Sequence, residues 1–339
     1  MKRVVVGLSG GVDSAVTAAL LLQQGALVEG HWLDIGLGGR EDAALVAKHL
    51  GIPFTTGDIR ADLEEQVCVP FARDYLCGQT PLPCARCNRA VKFPALLRRA
   101  DELGGAMIAT GHYARVLRGE GGAVGLYRGK PSNDQSYMLA RLTKEQLERV
   151  LFPLGEFEKT EVRQLALELQ LPVAKKPDSM EICFIPDNDY AAWLERRGAT
   201  PKPGHFIKAN GEIIGMHKGI HHYTVGQRRG LGISAESRLF VKEIRPETDE
   251  VVLSMIDADL YSNRVDCVDL NLLVEPEGDI TVRIRHSKEE YPAKLCYEGT
   301  DAYLELKKPA RAPTAGQLAV FYQKDRVLGS GWIRTRGLI

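Results

Sequence analysis

Three cysteines carry the side chains of this 339-residue chain that are best suited to covalent chemistry. Cys84 and Cys87 stand at C-x-x-C spacing in a proline-rich segment, and Cys183 follows a basic stretch much further along. We expect a helix from about Asn88 to Leu103, which puts the C-x-x-C pair on a rigid loop at a helix start. A helix start favours the thiolate form of a cysteine, and so do basic neighbours, here Arg86, Arg89 and Lys92. The spacing therefore predicts reactive thiols.

Two other interpretations of the pair stay open, a zinc half-site and two inert thiols. Zinc needs four ligands, and the chain has no second C-x-x-C. By itself, Cys183 is typical of a core cysteine. The odd total of seven cysteines argues against a disulfide framework. The remaining four are expected to be small core residues: Cys68, Cys77, Cys267 and Cys296.

A glycine-rich turn near the start of the chain is suited to holding phosphates. The apolar run Val4–Val6 predicts a strand, Ser9-Gly10-Gly11 follows it, and a helix is expected from about Ser14 to Gln24. Glycines let a backbone approach an anion closely, and the helix points its positive end at the turn. The Gly-Lys-Ser/Thr of a Walker A loop is missing, so the pattern indicates a different phosphate cradle. The alternative is a tight turn without a ligand.

Strands and helices alternate through the first 110 residues. After the first strand and helix, strands are expected at 28–34, 52–55 and 106–110, with helices at 43–50 and 61–77. This alternation predicts an α/β domain with a doubly wound parallel sheet, whose ligands bind at the carboxyl ends of the strands. Both Ser9-Gly10-Gly11 and Gly111-His112 are expected at such ends.

The pattern changes near Pro201. Asn210-Gly211 between apolar runs predicts a hairpin, and short alternating segments from about 238 onward predict a small β-barrel or sandwich. These expected strands are 239–244, 251–254, 280–285, 293–296, 303–306 and 318–322. We therefore expect three parts: a catalytic domain over 1–200, a small α+β central domain over 201–264 and an antiparallel β-barrel over 265–339.

Bulk composition excludes some classes of protein. No apolar run approaches the roughly 20 residues that span a bilayer, and Met1 leads directly into the first strand without a signal peptide. We expect a cytoplasmic protein. The formal net charge is zero, but basic residues cluster locally, above all over 86–99. A composite surface for RNA is compatible with that distribution.

Several segments together resemble the tRNA-specific 2-thiouridylases, a family of ATP pyrophosphatases. The resemblance covers essentially the whole chain, in the family's motif order. The matching segments are SGGVDS at 9–14, TPLPCARCN at 80–88, TGHYAR at 110–115, SNDQSY at 132–137, KKPDS at 175–179, EICFI at 181–185 and YTVGQRRGLG at 223–232. The resemblance implies that the chain replaces the 2-oxygen of the wobble uridine of tRNA with sulfur, after ATP with Mg²⁺ has adenylated that oxygen.

The resemblance also implies roles for individual residues. Cys87 is the catalytic cysteine, and Cys183 receives persulfide sulfur from a donor protein, with a Cys87–Cys183 disulfide as a product. ATP is bound by Gly7, Leu8, Ser9, Gly10, Gly11, Val12, Asp13 and Ser14, with Leu33 and Gly111 beside the adenine and ribose. Asp13 is our candidate for positioning the metal or a phosphate. Contacts to tRNA or its target base are implied for Leu82, Pro83, Cys84, His112, Asn133, Asp134, Gln135, Arg285, His286 and Gln317.

Alternatives to the persulfide route remain. Cys84 stands where some members carry an acidic residue, and with Cys87 and Cys183 it could ligate a [4Fe-4S] cluster with one open iron. A different adenylating synthetase and a non-catalytic RNA-binding protein are the other two functions weighed. The expected partners are the anticodon stem-loop of tRNA and a persulfide-carrying donor such as a cysteine desulfurase or a relay protein. We expect the chain to be a monomer, and we expect no interaction with membranes.

Overall fold

The fold is taken from a computed structural model that describes residues 2–119, 122–130, 132–178, 181–200, 202–233, 237–299 and 301–335. Pro201, Ser179 and Met180, which belong to segments singled out above, lie outside these ranges. The chain forms two compact units by its internal contacts. The first comprises residues 1–67, 83–186 and 322–329, and the second comprises 68–82, 187–321 and 330–339. Within the described ranges, no helix is both long and apolar enough to cross a membrane.

Up to residue 178 the described chain alternates strands and helices. The elements are β1 (Arg3–Gly7), α1 (Val12–Gln23), β2 (Leu27–Asp34), α2 (Arg40–Leu50), β3 (Phe54–Asp58), α3 (Arg60–Leu63), α4 (Val69–Leu76), α5 (Pro83–Cys87), α6 (Phe93–Glu102), β4 (Met107–Ala109), β5 (Ala114–Arg118), β6 (Val124–Arg128), α7 (Ser136–Leu139), α8 (Lys144–Glu148), β7 (Val150–Leu151) and α9 (Lys159–Glu168). Two π-helical turns, Glu64–Cys68 and Asn88–Lys92, continue α3 into α4 and α5 into α6.

The first unit is built on a parallel sheet, as the sequence predicts. Its strands follow the order β3-β2-β1-β4-β7, and all four neighbouring pairs are parallel. Val4, Val5 and Val6 of β1 are at most 1% exposed, because helices cover both faces of a parallel sheet. The predicted apolar face of α2 is confirmed, and Gly51 ends that helix in a left-handed conformation.

The structure differs from the predictions in three respects. The helix expected from Asn88 begins at Pro83, so Cys84 and Cys87 lie on its first turns rather than on a loop. The β5–β6 hairpin was not predicted, and Arg326 pairs with Tyr127 of β6 in the same unit. Cys77 is exposed instead of buried, whereas Cys68 and Cys267 are buried as expected.

From residue 181 onward the described chain is rich in strands. The elements are α10 (Tyr190–Arg196), β8 (Gly204–Lys208), β9 (Ile213–His217), β10 (Phe240–Arg245), β11 (Glu250–Ser254), β12 (Tyr261–Leu272), β13 (Ile280–Arg283), β14 (Tyr291–Glu298), β15 (Asp301–Arg311), β16 (Leu318–Gln323) and β17 (Arg326–Ile333), with 3₁₀ turns at Ile220–His222 and Asp257–Leu260.

These strands form the predicted small central domain and C-terminal barrel. Within the described residues, β10-β11-β8-β9 make a mixed sheet around Phe206, Val241 and Val251. The hairpin predicted at Asn210-Gly211 joins β8 to β9. The barrel follows the order β12-β15-β14-β13-β16-β17 and closes because β12 also pairs with β17. β12 and β17 had not been predicted.

Candidate active site

The turn after β1 requires glycine at position 10. Gly10 has φ +74°, a conformation that side chains rarely adopt. A Cβ there would lie 2.8 Å from Cβ of Asp42 and 2.9 Å from the amide nitrogen of Ala43. The turn is therefore packed against the first turn of α2, and its backbone faces the other side without a side chain in the way.

Ser14 fixes the shape of this turn from inside. The amide N–H of Ser9 donates to Oγ of Ser14 at 3.2 Å, and that hydroxyl donates to the carbonyl oxygen of Gly11 at 3.1 Å. In the described chain no side chain caps the start of α1, where Gly11 is the capping residue. The first amides of this 12-residue helix and its positive dipole end are thus directed at the turn, which is the arrangement that binds phosphates.

Lys159 and its partners were not identified from the sequence, yet they lie at this helix start. The Nζ of Lys159 is 2.6 Å from Oδ1 of Asp13 and 2.8 Å from Oδ1 of Asp178. The hydroxyl of Tyr113 also donates to Oδ1 of Asp13, at 2.8 Å. Burial would raise the pKa of Asp178, but hydrogen bonds from Lys159 and Arg163 hold it below its ordinary value. The cluster therefore combines two carboxylates with a lysine at the phosphate turn.

A second lysine reaches the turn from the KKPDS segment. The Nζ of Lys176 donates to the carbonyl oxygen of Gly10 at 3.1 Å and to Oδ2 of Asp42 at 2.5 Å. The basic pair Lys175-Lys176 gave a signal in the sequence, but only its second member points to the turn in this way. For Lys159 no local signal existed, since it lies at the start of an ordinary amphipathic helix, α9.

Gly111 lies beside the phosphate turn, and Leu33 lies near the end of a strand of the same sheet. A Cβ on Gly111 would lie 2.8 Å from both the carbonyl carbon and the Cβ of Asp13, so this glycine lets the end of β4 touch the start of α1. Leu33 is half-buried near the end of β2, opposite Gly57 of β3. Both lie at carboxyl ends of the parallel sheet, as predicted.

The two cysteines named as catalytic lie in the same unit, and the thiolate expected at Cys87 is not favoured. Burial raises the pKa of the Cys87 thiol, and the nearby charge of Lys92 offsets only part of the effect. Cys183 keeps contact with solvent, yet the atoms crowded around its sulfur raise its pKa to about 11. The prediction of a favoured thiolate is therefore wrong for Cys87, because burial outweighs the nearby cation.

The three cysteines are close enough for one thiol to affect the pKa of another. The pKa of Cys183 responds to Cys87 and, with smaller effects, to Lys92 and Cys84. The charge of Lys92 also acts on His112, whose pKa is lowered well below its ordinary value, above all by burial. His112 directly follows Gly111, and its ring stacks on Phe93 at 6.1 Å. The phosphate turn, His112 and the thiols thus form one continuous region of the first unit.

The polar segment 133–135 makes hydrogen bonds within the first unit. Asp134 accepts hydrogen bonds from the amides of Gly129 and Ser136, at 3.2 and 2.9 Å. The Oε1 of Gln135 accepts from the amide of Tyr113 at 3.0 Å, and Asn133 is half-buried. These contacts hold the turn beside Tyr113, and a direct role toward RNA stays a prediction.

In the second unit, the predicted RNA residues differ in exposure. Arg285 donates to the carbonyl oxygens of Val225 and Ala312, at 3.0 and 2.8 Å, whereas His286 is exposed. The Nε2 of Gln317 donates to the carbonyl oxygen of Thr80 at 2.8 Å. Arg285 and Gln317 therefore fix the backbone of this unit. Leu82 is buried in the second unit and Pro83 in the first.

A parallel α/β sheet with a phosphate turn, followed by two β-rich domains, defines a nucleotide-binding enzyme of composite architecture. Three family models match in this order: "tRNA methyl transferase HUP domain" over residues 2–187, "tRNA methyl transferase PRC-barrel domain" over 192–255 and "Aminomethyltransferase beta-barrel domain" over 266–333. The tRNA-specific 2-thiouridylase MnmA of Carboxydothermus hydrogenoformans is 43% identical over 99% of this chain and 98% of its own length. The protein of the same name from Syntrophotalea carbinolica is 44% identical over 98% of each chain.

The chain belongs to the tRNA-specific 2-thiouridylase family. The family models and the relatives differ in the transferred group that their descriptions name, methyl in the former and sulfur in the latter. The neighbouring thiols Cys87 and Cys183 favour sulfur, because a thiol can carry sulfane sulfur as a persulfide.

Proposed function

We propose that this protein catalyses ATP-dependent 2-thiolation of the wobble uridine of tRNA. The observation that carries the proposal is that the phosphate turn meets Gly111, His112 stacks on Phe93 in the helix that bears Cys87, and Cys183 lies in the same unit. Adenylation and sulfur transfer act in sequence on the same carbon–oxygen group, so their machinery must be contiguous. Since the substrate is tRNA, the protein acts in the cytoplasm.

The phosphate turn performs the first step. The 2-oxygen of the uridine attacks the α-phosphorus of ATP, the bond to the β-phosphate breaks, and pyrophosphate leaves. The amides at the start of α1 face the negative charge that develops on the phosphates. Lys159 forms salt bridges with Asp13 and Asp178, and Lys176 forms one with Asp42, which holds both ammonium groups at the turn where they can pair with pyrophosphate.

The turn also offers a carboxylate to a magnesium ion. Mg²⁺ beside phosphates is usually held by one or two carboxylates, and Asp13 at the start of α1 would supply one. When bound, Mg²⁺ would neutralise part of the charge on the leaving pyrophosphate. Oδ1 of Asp13 already accepts from Tyr113 and Lys159, so its role in this structure is to hold Lys159 at the turn.

The thiols perform the second step. A donor protein loads Cys183 with a terminal sulfur, giving Cys183–S–SH. The Cys87 thiolate attacks the inner sulfur, the sulfur–sulfur bond of the persulfide breaks, and hydrosulfide leaves as a Cys87–Cys183 disulfide forms. Hydrosulfide then attacks C2 of the adenylated uridine, and AMP departs with the former 2-oxygen. A cellular dithiol reduces the disulfide for the next turnover.

A cluster mechanism is the second candidate, and the proximity of Cys84 to the other two thiols favours it. Three thiols satisfy the protein ligands of a [4Fe-4S] cluster with one open iron, provided that all three lose their protons. The raised pKa values of Cys87 and Cys183 oppose that loss in the cluster-free chain. We therefore place the persulfide route first.

The deciding experiment measures two products from unmodified tRNA, ATP, Mg²⁺ and a persulfide donor. Pyrophosphate release reports adenylation, and mass spectrometry of nucleosides reports 2-thiouridine. We expect Cys183→Ser and Cys87→Ser to abolish 2-thiouridine in air and without oxygen, while Cys77→Ser, at an exposed thiol, keeps full activity. Product that forms only without oxygen, together with bound iron, would establish the cluster instead. Full 2-thiouridine formation by Cys87→Ser would overturn both routes.

The three-part organisation at 1–200, 201–264 and 265–339 belongs to the same proposal, and the order of the three family models supports it. We assign ATP and sulfur chemistry to the first part. The two β-rich parts are proposed to contact tRNA, with His286 as an exposed contact residue. We propose a monomer as the active species.

A further inference from the structure

Two histidines and a glutamate in the second unit meet at a place that the thiolation chemistry does not use. His221 and His222 form the end of the 3₁₀ turn Ile220–His222, and Glu195 lies near the end of α10. One ligand atom from each residue lies within 4.8 Å of the other two. Among the described residues, this is the one group of three His, Cys, Asp or Glu side chains whose ligand atoms all lie this close together.

The distances in the cluster are long for hydrogen bonds but suit a metal. Oε1 of Glu195 is 3.6 Å from Nε2 of His221 and 3.5 Å from Nε2 of His222. Neither of these ring nitrogens, both of them shielded from solvent, has a hydrogen-bond partner within the described chain. Two ligands of a tetrahedral zinc ion with bonds of about 2.05 Å are separated by about 3.3 Å. The observed spacing is therefore close to an edge of such a tetrahedron.

The burial of His221 gives a second, independent indication. Its side chain is only 2% exposed, and a buried polar nitrogen without a partner is destabilising unless something occupies the position. The fold makes room for this ring at Gly219, where a Cβ would lie 2.6 Å from Cε1 of His221. A side chain at position 219 would therefore clash with the ring of His221. The Nε2 of that ring faces Glu195 and has no hydrogen-bond partner among the described residues.

The ligand chemistry of the cluster also suits a cation. A neutral imidazole binds a metal ion through a ring nitrogen, and Nε2 of His221 and of His222 are both without a hydrogen-bond partner among the described residues. Glu195 brings one negative charge and keeps 39% of its side chain exposed, which leaves a path for an ion to enter. Two imidazoles and one carboxylate form a ligand set that zinc takes in proteins, with water in the fourth position.

We propose that Glu195, His221 and His222 bind one Zn²⁺ ion. The ion would tie the end of α10 to the turn that leads into the segment 223–232, and so stabilise the central part of the chain. Its binding is independent of the ATP and sulfur chemistry of the first unit.

The test must separate this site from the cysteines, which also bind zinc. The reference is therefore the full-length chain without a histidine tag and with Cys84→Ser, Cys87→Ser and Cys183→Ser. We expect this reference to retain about one equivalent of Zn²⁺ after gel filtration, measured by atomic emission. Saturating Zn²⁺ should raise its Tm by about 5 °C, whereas Mg²⁺ at the same concentration should not.

Matched variants in this background locate the site. Glu195→Gln and His222→Gln, both at partly exposed positions, should lose the zinc equivalent and the Tm shift, while His205→Gln, at an exposed histidine outside the cluster, should keep both. Zinc retention by Glu195→Gln and His222→Gln equal to the reference, or no retention by the reference itself, would overturn the proposal.

If the triple-serine chain does not fold, Co²⁺ bound to the wild-type chain decides. Visible ligand-field bands lost on Glu195→Gln support the site, and sulfur-to-cobalt absorption alone contradicts it.

Discussion

The two thiols that should carry sulfur are held in their protonated form in the free protein. Burial raises the pKa of both Cys87 and Cys183, the latter to about 11. At pH 7 a thiol with that pKa is ionised to only about one part in ten thousand. Restraint of this kind protects a cysteine from oxidation until a substrate or donor changes its surroundings.

Alkylation measures this restraint directly. Because the thiolate is the reacting species, the rate of Cys183 modification by iodoacetamide should rise about tenfold per pH unit from 7 to 10 and level off above pH 11. Peptide mass spectrometry can follow Cys183 and the exposed Cys77 in the same sample. Faster modification of Cys183 than of Cys77 at pH 7 would show that the thiol is not restrained in this way.

The lysines at the phosphate turn make a second prediction at the residue scale. Lys176→Met removes the ammonium group that bonds to Gly10 and Asp42, and Lys159→Met removes the partner of Asp13. Both variants leave an unpaired carboxylate where phosphates bind, so we expect ATP affinity to fall at least about tenfold, near 1.4 kcal/mol. Calorimetric titration with a non-hydrolysable ATP analogue measures the change.

Lys175→Met is the matched control, since it removes the same charge from the adjacent, exposed position. It should change the ATP affinity less than twofold. An equal loss in Lys175→Met and Lys176→Met would mean that general charge, and not the contact with the turn, controls binding.

At the scale of elements, the site depends on how closely β4 approaches α1. Gly111→Ala would place a Cβ 2.8 Å from the backbone of Asp13 and 3.0 Å from the amide nitrogen of Ser14. The start of α1 must then move, which we expect to cost about 1–3 kcal/mol of unfolding free energy and most of the ATP affinity. Urea denaturation and ATP titration test the two effects separately.

Gly119→Ala provides the comparison for this substitution. The nearest atom to a Cβ there is the carbonyl oxygen of Ala123 at 3.8 Å, so the extra methyl group meets no obstacle. Its stability and ATP affinity should match the wild-type values. If Gly111→Ala behaves in the same way, the close approach of the two elements is unimportant for the site.

The same elements show which features of the site could be predicted from sequence. The phosphate turn and parallel sheet were predictable because a buried strand, glycines and an apolar helix stand next to each other in the chain. Lys159 was missed because its partner Asp13 is far away in sequence, and an isolated lysine has no pattern. The thiolate prediction failed because local cations are visible in sequence, whereas the burial that outweighs them is not.

At the scale of the whole molecule, the first compact unit is completed by residues from the far end of the chain. Residues 322–329 belong to that unit although they are separated from the rest of it by more than a hundred positions. Tyr322 is fully buried, and its hydroxyl lies 3.2 Å from Oγ of Ser136. The guanidinium of Arg128 stands 3.8 Å above its ring. The N-terminal unit therefore depends on a contact that no local pattern in residues 1–200 reveals.

Tyr322→Ala tests this dependence on the full-length chain. Removing a fully buried aromatic side chain costs about 3–5 kcal/mol, and here the loss should appear first in β6, which carries Arg128. Hydrogen exchange of the β5–β6 amides should accelerate, and the Tm should fall.

Tyr322→Phe keeps the ring and removes only the hydroxyl, so it should cost about 1 kcal/mol and leave exchange in β6 nearly unchanged. Unchanged exchange in Tyr322→Ala would show that the hairpin is stable without this contact, whereas faster exchange would show that residues 322–329 stabilise the β5–β6 part of the unit.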